Sequence, residues 1–216
     1  VARVMLLEPE SERSKEMSKD LLDAYFFCIK EDKGKAVVDF NNSARLVTPF
    51  TDDVNRVKSA INIIDPVSKT YAQGSSFNGC HDLIGEQLKL AHDKDDANVY
   101  IFFISDGENN QDEELDSFKD LKKYVDGGSV LGYGTSKGGK MKVTTYSGEE
   151  VVLDSHGQEA ISVIDEENLM DFADQMDISY VHMKHQENID PVIESVLENV
   201  EETQQEKTES ERQQSS

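Results

Sequence analysis

The sequence predicts an α/β domain, a mostly parallel sheet flanked by helices. Three observations lead there. Short apolar runs recur along the 216 residues, and segments with helical periodicity separate them. One run, NVYIFFIS at 98–105, is continuously apolar up to its last residue, as a strand covered on both faces must be. It ends abruptly in Ser105-Asp106-Gly107-Glu108, which sets a lone carboxylate at the carboxyl end of a strand, where ligands gather in open α/β sheets.

In chain order, residues 11–30 carry Met17, Leu21, Ala24, Tyr25 and Cys28 at helical spacing, with Ser11 as the N-cap. KAVVDF and ARLVTPF read as two strands of a hairpin around NNS. A helix over 53–64 follows, capped by Thr51 or Asp52, with Val54, Val57, Ile61 and Ile64 on one face and Pro66 ending it. After a loop of small residues, a helix over 81–92 turns Leu83, Ile84, Leu88 and Ala91 inward. Beyond strand 98–105, the spacing of Leu115, Phe118, Leu121 and Val125 predicts a helix over 115–125. SVLGYG reads as a buried strand leaving through a glycine-rich loop, and MKVTTY with EEVVLD as a second hairpin. A helix over 166–176, a strand ISYVHM and a helix over 188–200 with Pro191 near its start complete the domain. Residues 1–200 therefore form one unit, and the apolar-free stretch 201–216 reads as a disordered polar tail.

Hydrophobic residues make up 37% of the chain, enough for a core, and the formal net charge is -22. That charge repels phosphates, so nucleic acid and anionic membrane surfaces are excluded as partners, whereas cations and basic proteins are permitted. No apolar run reaches the ~18 residues of a membrane span. The start lacks a signal peptide's basic and apolar regions, and Val1 reads as following a cut. Cys28 and Cys80 have no metal-type spacing.

Asp106 has three readings. It can ligate a hard cation with oxygen donors from neighbouring loops. It can serve as a phosphoacceptor, which needs a second acidic cluster, a metal and a lysine that the sequence does not set beside it. Or it can accept backbone N–H groups from its own turn, an Asx-type cap.

IFFISDGENN resembles the fourth-strand motif of von Willebrand factor A (VWA) domains, where an Asp-Gly after an apolar strand helps build the metal-ion-dependent adhesion site. The resemblance continues through GKAVVDFNNSARLVTPFTDD, HDLIGEQLKLA and LGYGTSKGGKM. GQEAISVIDEENLMDFADQMDISYVHM is similar to the end of the domain in bacterial Bat (aerotolerance-type) VWA proteins, with its Ser-apolar-apolar-Asp-Glu-Glu-x-Leu phrase.

The resemblance implies a Mg²⁺ site built from Asp-x-Ser-x-Ser after the first strand, a Thr from a second loop, and the fourth-strand Asp. Asp106 matches the last. Aligning the opening on the family's Met puts Met5 at that Met and Ala2 and Val4 at the two serines, so the first strand is expected upstream of Val1. The Thr position falls on Asp82, or on Ser75 or Ser76 in another alignment. The site is thus expected to be degenerate, with Asp106, Asp82 and Ser76 as a residual metal spot; the alternative is a working Mg²⁺-dependent module using Asp106 and Asp82. The expected interaction rim comprises Ser75, Glu108, Asn109 and Thr135, on loops 74–82, 106–114 and 134–140. His182 and His185 are read as surface histidines, and His81 beside Asp82 as a loop or cap histidine, rather than as ligands. The family further implies a non-enzymatic interaction module whose parent protein is anchored in a bacterial membrane and works beside a MoxR-type AAA+ ATPase or other Bat-like proteins.

Overall fold

The computed structural model describes residues 2–7, 34–40, 43–64, 77–93, 98–109, 115–146, 148–154 and 156–183, together with positions 191, 192, 194 and 198. The strands of its main sheet are β1 (Ala2–Leu7), β2 (Lys35–Phe40), β3 (Ala44–Thr51), β4 (Val99–Ser105), β5 (Gly127–Gly132) and β10 (Ser179–His182). Their order is β10-β5-β4-β1-β2-β3. Every neighbouring pair is parallel except β2–β3, the expected hairpin, which is antiparallel at one edge. Every residue of β2, β4 and β5 is buried, as strands covered on both faces require.

The first strand is in the chain, contrary to the expectation that it lies upstream. Ala2–Leu7 fills the slot between β2 and β4, pairing Ala2 with Val99, and Leu7 with both Ile104 and Asp39. No gap is left between β2 and β4. Ala2 and Val4 lie within the strand rather than in the loop after it, so the alignment that set them at the two serine positions does not hold. The physical reason is pairing: two buried neighbours leave a full row of backbone donors and acceptors that an apolar segment must satisfy, and ARVMLL does so.

Helix α1 (Val54–Asn62) is capped by Asp53, whose side chain accepts from the Asn55 and Arg56 amides; Thr51 instead accepts from the Asp53 amide. α2 (His81–His92) and α3 (Glu166–Met176) fall where periodicity places them. α3 is capped by Asp165 and ends on Asp177 in the left-handed conformation. One core cluster joins Val38, Phe40, Ile101, Phe103 and Val130 of the sheet to Ile84 and Leu88 of α2 and to Leu169 and Phe172 of α3. Phe103 stacks between Phe40 and Phe172, at centroid distances of 5.2 and 4.3 Å.

The helix expected over 115–125 is replaced by a turn and a single 3-10 turn, Lys122–Tyr124. The apolar spacing still buries Phe118 and Leu121. The backbone donors are taken elsewhere: Gln175 Oε1 accepts from the Phe118 amide at 2.6 Å, and Asn78 Oδ1 from the Asp116 amide at 2.8 Å.

Between β5 and α3 the chain folds into an insertion. It contains β6 (Gly139–Lys140) paired with β9 (Ile161–Ser162), and the expected hairpin of β7 (Lys142–Thr145) with β8 (Gly148–Val151). Positions 191, 192, 194 and 198 are helical, within the expected last helix. The helix expected over 11–30 and the tail at 201–216 lie outside the described residues.

Candidate functional site

The parallel strands bring their carboxyl ends to one edge, and the Ser105–Asn109 corner leaves β4 there. Its geometry is set within the turn first. Ser105 Oγ accepts from the Gly107 amide at 2.9 Å, and Asp106 Oδ1 from the Glu108 amide at 3.0 Å, an Asx turn. Gly107 has φ +80, and a Cβ there would lie 2.3 Å from the Asp165 carbonyl oxygen and 2.7 Å from Leu169 Cγ, so only glycine fits.

The corner is also bound to the segment leading into α3. Ser162 Oγ donates to Asp106 Oδ2 at 2.9 Å, across 56 residues of chain. The Asp165 amide donates to the Asp106 carbonyl at 2.8 Å, and Asn168 Nδ2 to the Gly107 carbonyl at 3.1 Å. The Val163 amide donates to the Glu108 carboxylate. Asp106 is 2% exposed, and a carboxylate so buried requires such donors. Ser162 and Asn168 were not singled out from sequence, although both lie in or beside the Bat-like phrase that begins at Ser162.

The other site candidates are dispersed. Asp82 is fully exposed at the start of α2, with His81 Nδ1 3.4 Å away, and His81 Nε2 lies 3.0 Å from Asp120 Oδ1. Burial of the His81 imidazole works against its charge, but the Asp120 and Asp82 carboxylates outweigh this and raise its pKa above the ordinary value. Thr135 is exposed, and its carbonyl accepts from the Gly138 and Ile164 amides. Glu108 and Asn109 are half-buried in the same corner. Ser75, Ser76, His185 and Cys28 lie outside the described residues. Cys80 is buried, its thiol donating to the Phe77 carbonyl.

His182 does not face a metal-type cluster. Its Nδ1 lies 3.2 Å from Glu166 Oε1 and its Nε2 3.0 Å from the Gly134 carbonyl. Tyr180 donates its hydroxyl to Glu166 Oε2 at 3.0 Å, and burial together with that carboxylate pushes its pKa up.

The adhesion-type cation was tested against these donors. Asp106 gives both carboxylate oxygens to protein donors, and Asp82 points to solvent beside a histidine. Among the described residues no group of three or more His, Cys, Asp or Glu side chains is placed to hold a metal ion. The described donors do not fit a hexacoordinate hard cation.

No protein-family model and no curated protein matches the sequence. Solved structures do. A von Willebrand factor type A structure from Catenulispora acidiphila superposes with a TM-score of 0.60 at 12% identity, over 92% of this chain and 42% of that one. The chain thus has the VWA fold, here with a sheet order of β10-β5-β4-β1-β2-β3. Within that class, the chain is similar to the conserved hypothetical protein BatB from Bacteroides thetaiotaomicron, with a TM-score of 0.75 at 19% identity over 93% of this chain and 99% of that one. It is also similar to an aerotolerance-related membrane protein from Bacteroides fragilis, with a TM-score of 0.70 at 18% identity over 90% and 99%. At these identities the likeness is one of fold.

Proposed function

We propose that the chain is a non-enzymatic, Bat-like VWA interaction module whose metal-ion-dependent adhesion site has become a structural latch. The observation that carries this reading is the engagement of Asp106: its carboxylate accepts from the Ser162 hydroxyl and from the Glu108 amide. The strand-end loops bearing Glu108, Asn109 and Thr135 form the rim where a partner docks, and Ser75, in the loop 74–82, is assigned to the same rim. A MoxR-type AAA+ ATPase or another Bat-like protein is the proposed partner class, and a bacterial membrane the proposed setting of the parent protein. Among the described residues no helix is long and apolar enough to cross a membrane.

Isothermal calorimetry with Mg²⁺ and Mn²⁺ on the whole chain and on Asp106→Ala tests the reading. The expected result is the same weak, non-saturating heat for both proteins. Stoichiometric uptake that Asp106→Ala abolishes would establish instead a working cation-dependent module using Asp106 and Asp82.

A further inference from the structure

We infer that the outward face of the insertion, built by Leu153, Ile161 and Val163, is a docking surface for a protein that presents an apolar ridge flanked by lysine and arginine. This rests on the reading of the chain as an interaction module and names the surface and partner chemistry. Strand alternation defines the face. Ser162 turns its side chain back to Asp106, so Ile161 and Val163 on either side point the other way. Leu153 bridges to Glu159, two residues before Ile161, and therefore shares that face. Lys140 is the register partner of Ile161 and forms an ion pair with Glu159 at 2.6 Å, which confirms the same side.

These side chains are open to solvent: Leu153 is 58% exposed, Ile161 48% and Val163 37%. Five of the eight exposed large hydrophobics among the described residues lie between 141 and 163 in sequence, and three of them, Leu153, Ile161 and Val163, share this face. Grouped exposure of this kind marks an interaction site more often than scattered single residues do. The surface is also held in place. The Ser162 hydroxyl and the Val163 amide, one on either side of that peptide bond, are fixed to Asp106 and Glu108 at the strand ends.

Charge selects the occupant. Between 137 and 159 three lysines face four carboxylates, so the insertion is nearly neutral within a chain whose formal net charge is -22. A second copy would bring the same negative charge, and an anionic membrane would be repelled equally. A basic protein surface is drawn in by that field and can bury the apolar strip.

The test uses the whole chain in EDTA. Fluorescence anisotropy follows a labelled amphipathic peptide with leucine at every third and fourth position and lysine elsewhere, and a counterpart with glutamate in place of lysine. The lysine peptide is expected to bind. Ile161→Ser and Leu153→Ser, both neutral and at exposed positions, should each weaken binding about tenfold. Leu90→Ser, which alters an exposed leucine on α2, should leave it unchanged. Circular dichroism melts check that all three variants stay folded. Equal binding by wild type and Ile161→Ser, or equal binding of the glutamate peptide, overturns the inference. So does a wild-type dimer that Ile161→Ser converts to monomer, or flotation with phosphatidylglycerol vesicles that this variant abolishes. Because EDTA is present throughout, these outcomes are separate from the cation titration: magnesium uptake through Asp106 would sink the preceding reading without altering the peptide contrast.

Discussion

Removing the Ser162 hydroxyl isolates the latch. In Ser162→Ala the Asp106 Oδ2 loses a hydrogen bond of 2.9 Å while the carboxylate stays 2% exposed. A hydrogen bond to a charged group contributes about 1.5–3 kcal/mol, and the acceptor left behind is desolvated, so a loss of about 2 kcal/mol is expected. For a chain of this length that corresponds to a drop in Tm of about 4–8 °C. Asp106→Ala also removes the acceptor of the Glu108 amide and should cost more. The decisive quantity is the coupling. In the Asp106→Ala background, Ser162→Ala should cost no more than about 0.5 kcal/mol, giving a coupling of about 1.5 kcal/mol. Urea unfolding at pH 7, followed by far-UV circular dichroism for the four proteins, measures it. Additive losses would refute the latch. So would a loss in Asp106→Ala that appears in Mg²⁺ but not in EDTA, since a cation bound to the native state would then be the true partner of the carboxylate.

Gly107→Ala places a Cβ 2.3 Å from the Asp165 carbonyl at φ +80; it should lower stability by more than about 2 kcal/mol, read by the same urea titration. Arg45 holds the buried Asp39 carboxylate through both Nε and Nη2, at 3.1 and 2.5 Å, across the β2–β3 pair. Arg45→Ala should cost about 1–2 kcal/mol, a figure kept low because the arginine is mostly exposed, and Arg45→Lys should recover little of it, since a lysine cannot make the two-pronged contact. His81 has a raised pKa in the fold, so its contribution to stability is fully present below its unfolded pKa of about 6.5 and is lost as pH rises through the folded value. Tm measured from pH 6 upward should fall across that window, and the fall should flatten in Asp120→Asn.

The parts of the fold that were legible in the sequence are those where one periodicity carries one role. NVYIFFIS had to be a doubly covered strand, and the 81–92 and 166–176 patterns became helices with those limits. ARVMLL carried an equally plain apolar signal, but aligning Met5 on a family motif displaced it, and only the strand register restores it to the centre of the sheet. The 115–125 stretch shows the opposite failure. Its apolar spacing foretold which side chains are buried and not the backbone path, which depends on Gln175 and Asn78, residues far away in sequence. The same distance hid the side-chain partner of Asp106. Its position at a strand tip was readable; its partner, 56 residues on, was not.

A carboxylate closed off at the end of a parallel sheet demands compensation, and the source of that compensation decides what the site can do. A cation supplies it with a coordination position to spare, and that position is where an outside acidic group can enter. Here a hydroxyl and an amide supply it, one to each carboxylate oxygen. The donors on Asp106 come from its own turn and from the segment that ends the insertion, so the corner fixes the orientation of neighbouring chain. Gly107 allows that segment to approach, and Asn168 and Glu108 tie it on either side. The same contacts that close the corner therefore fix the position of the segment carrying Ile161 and Val163.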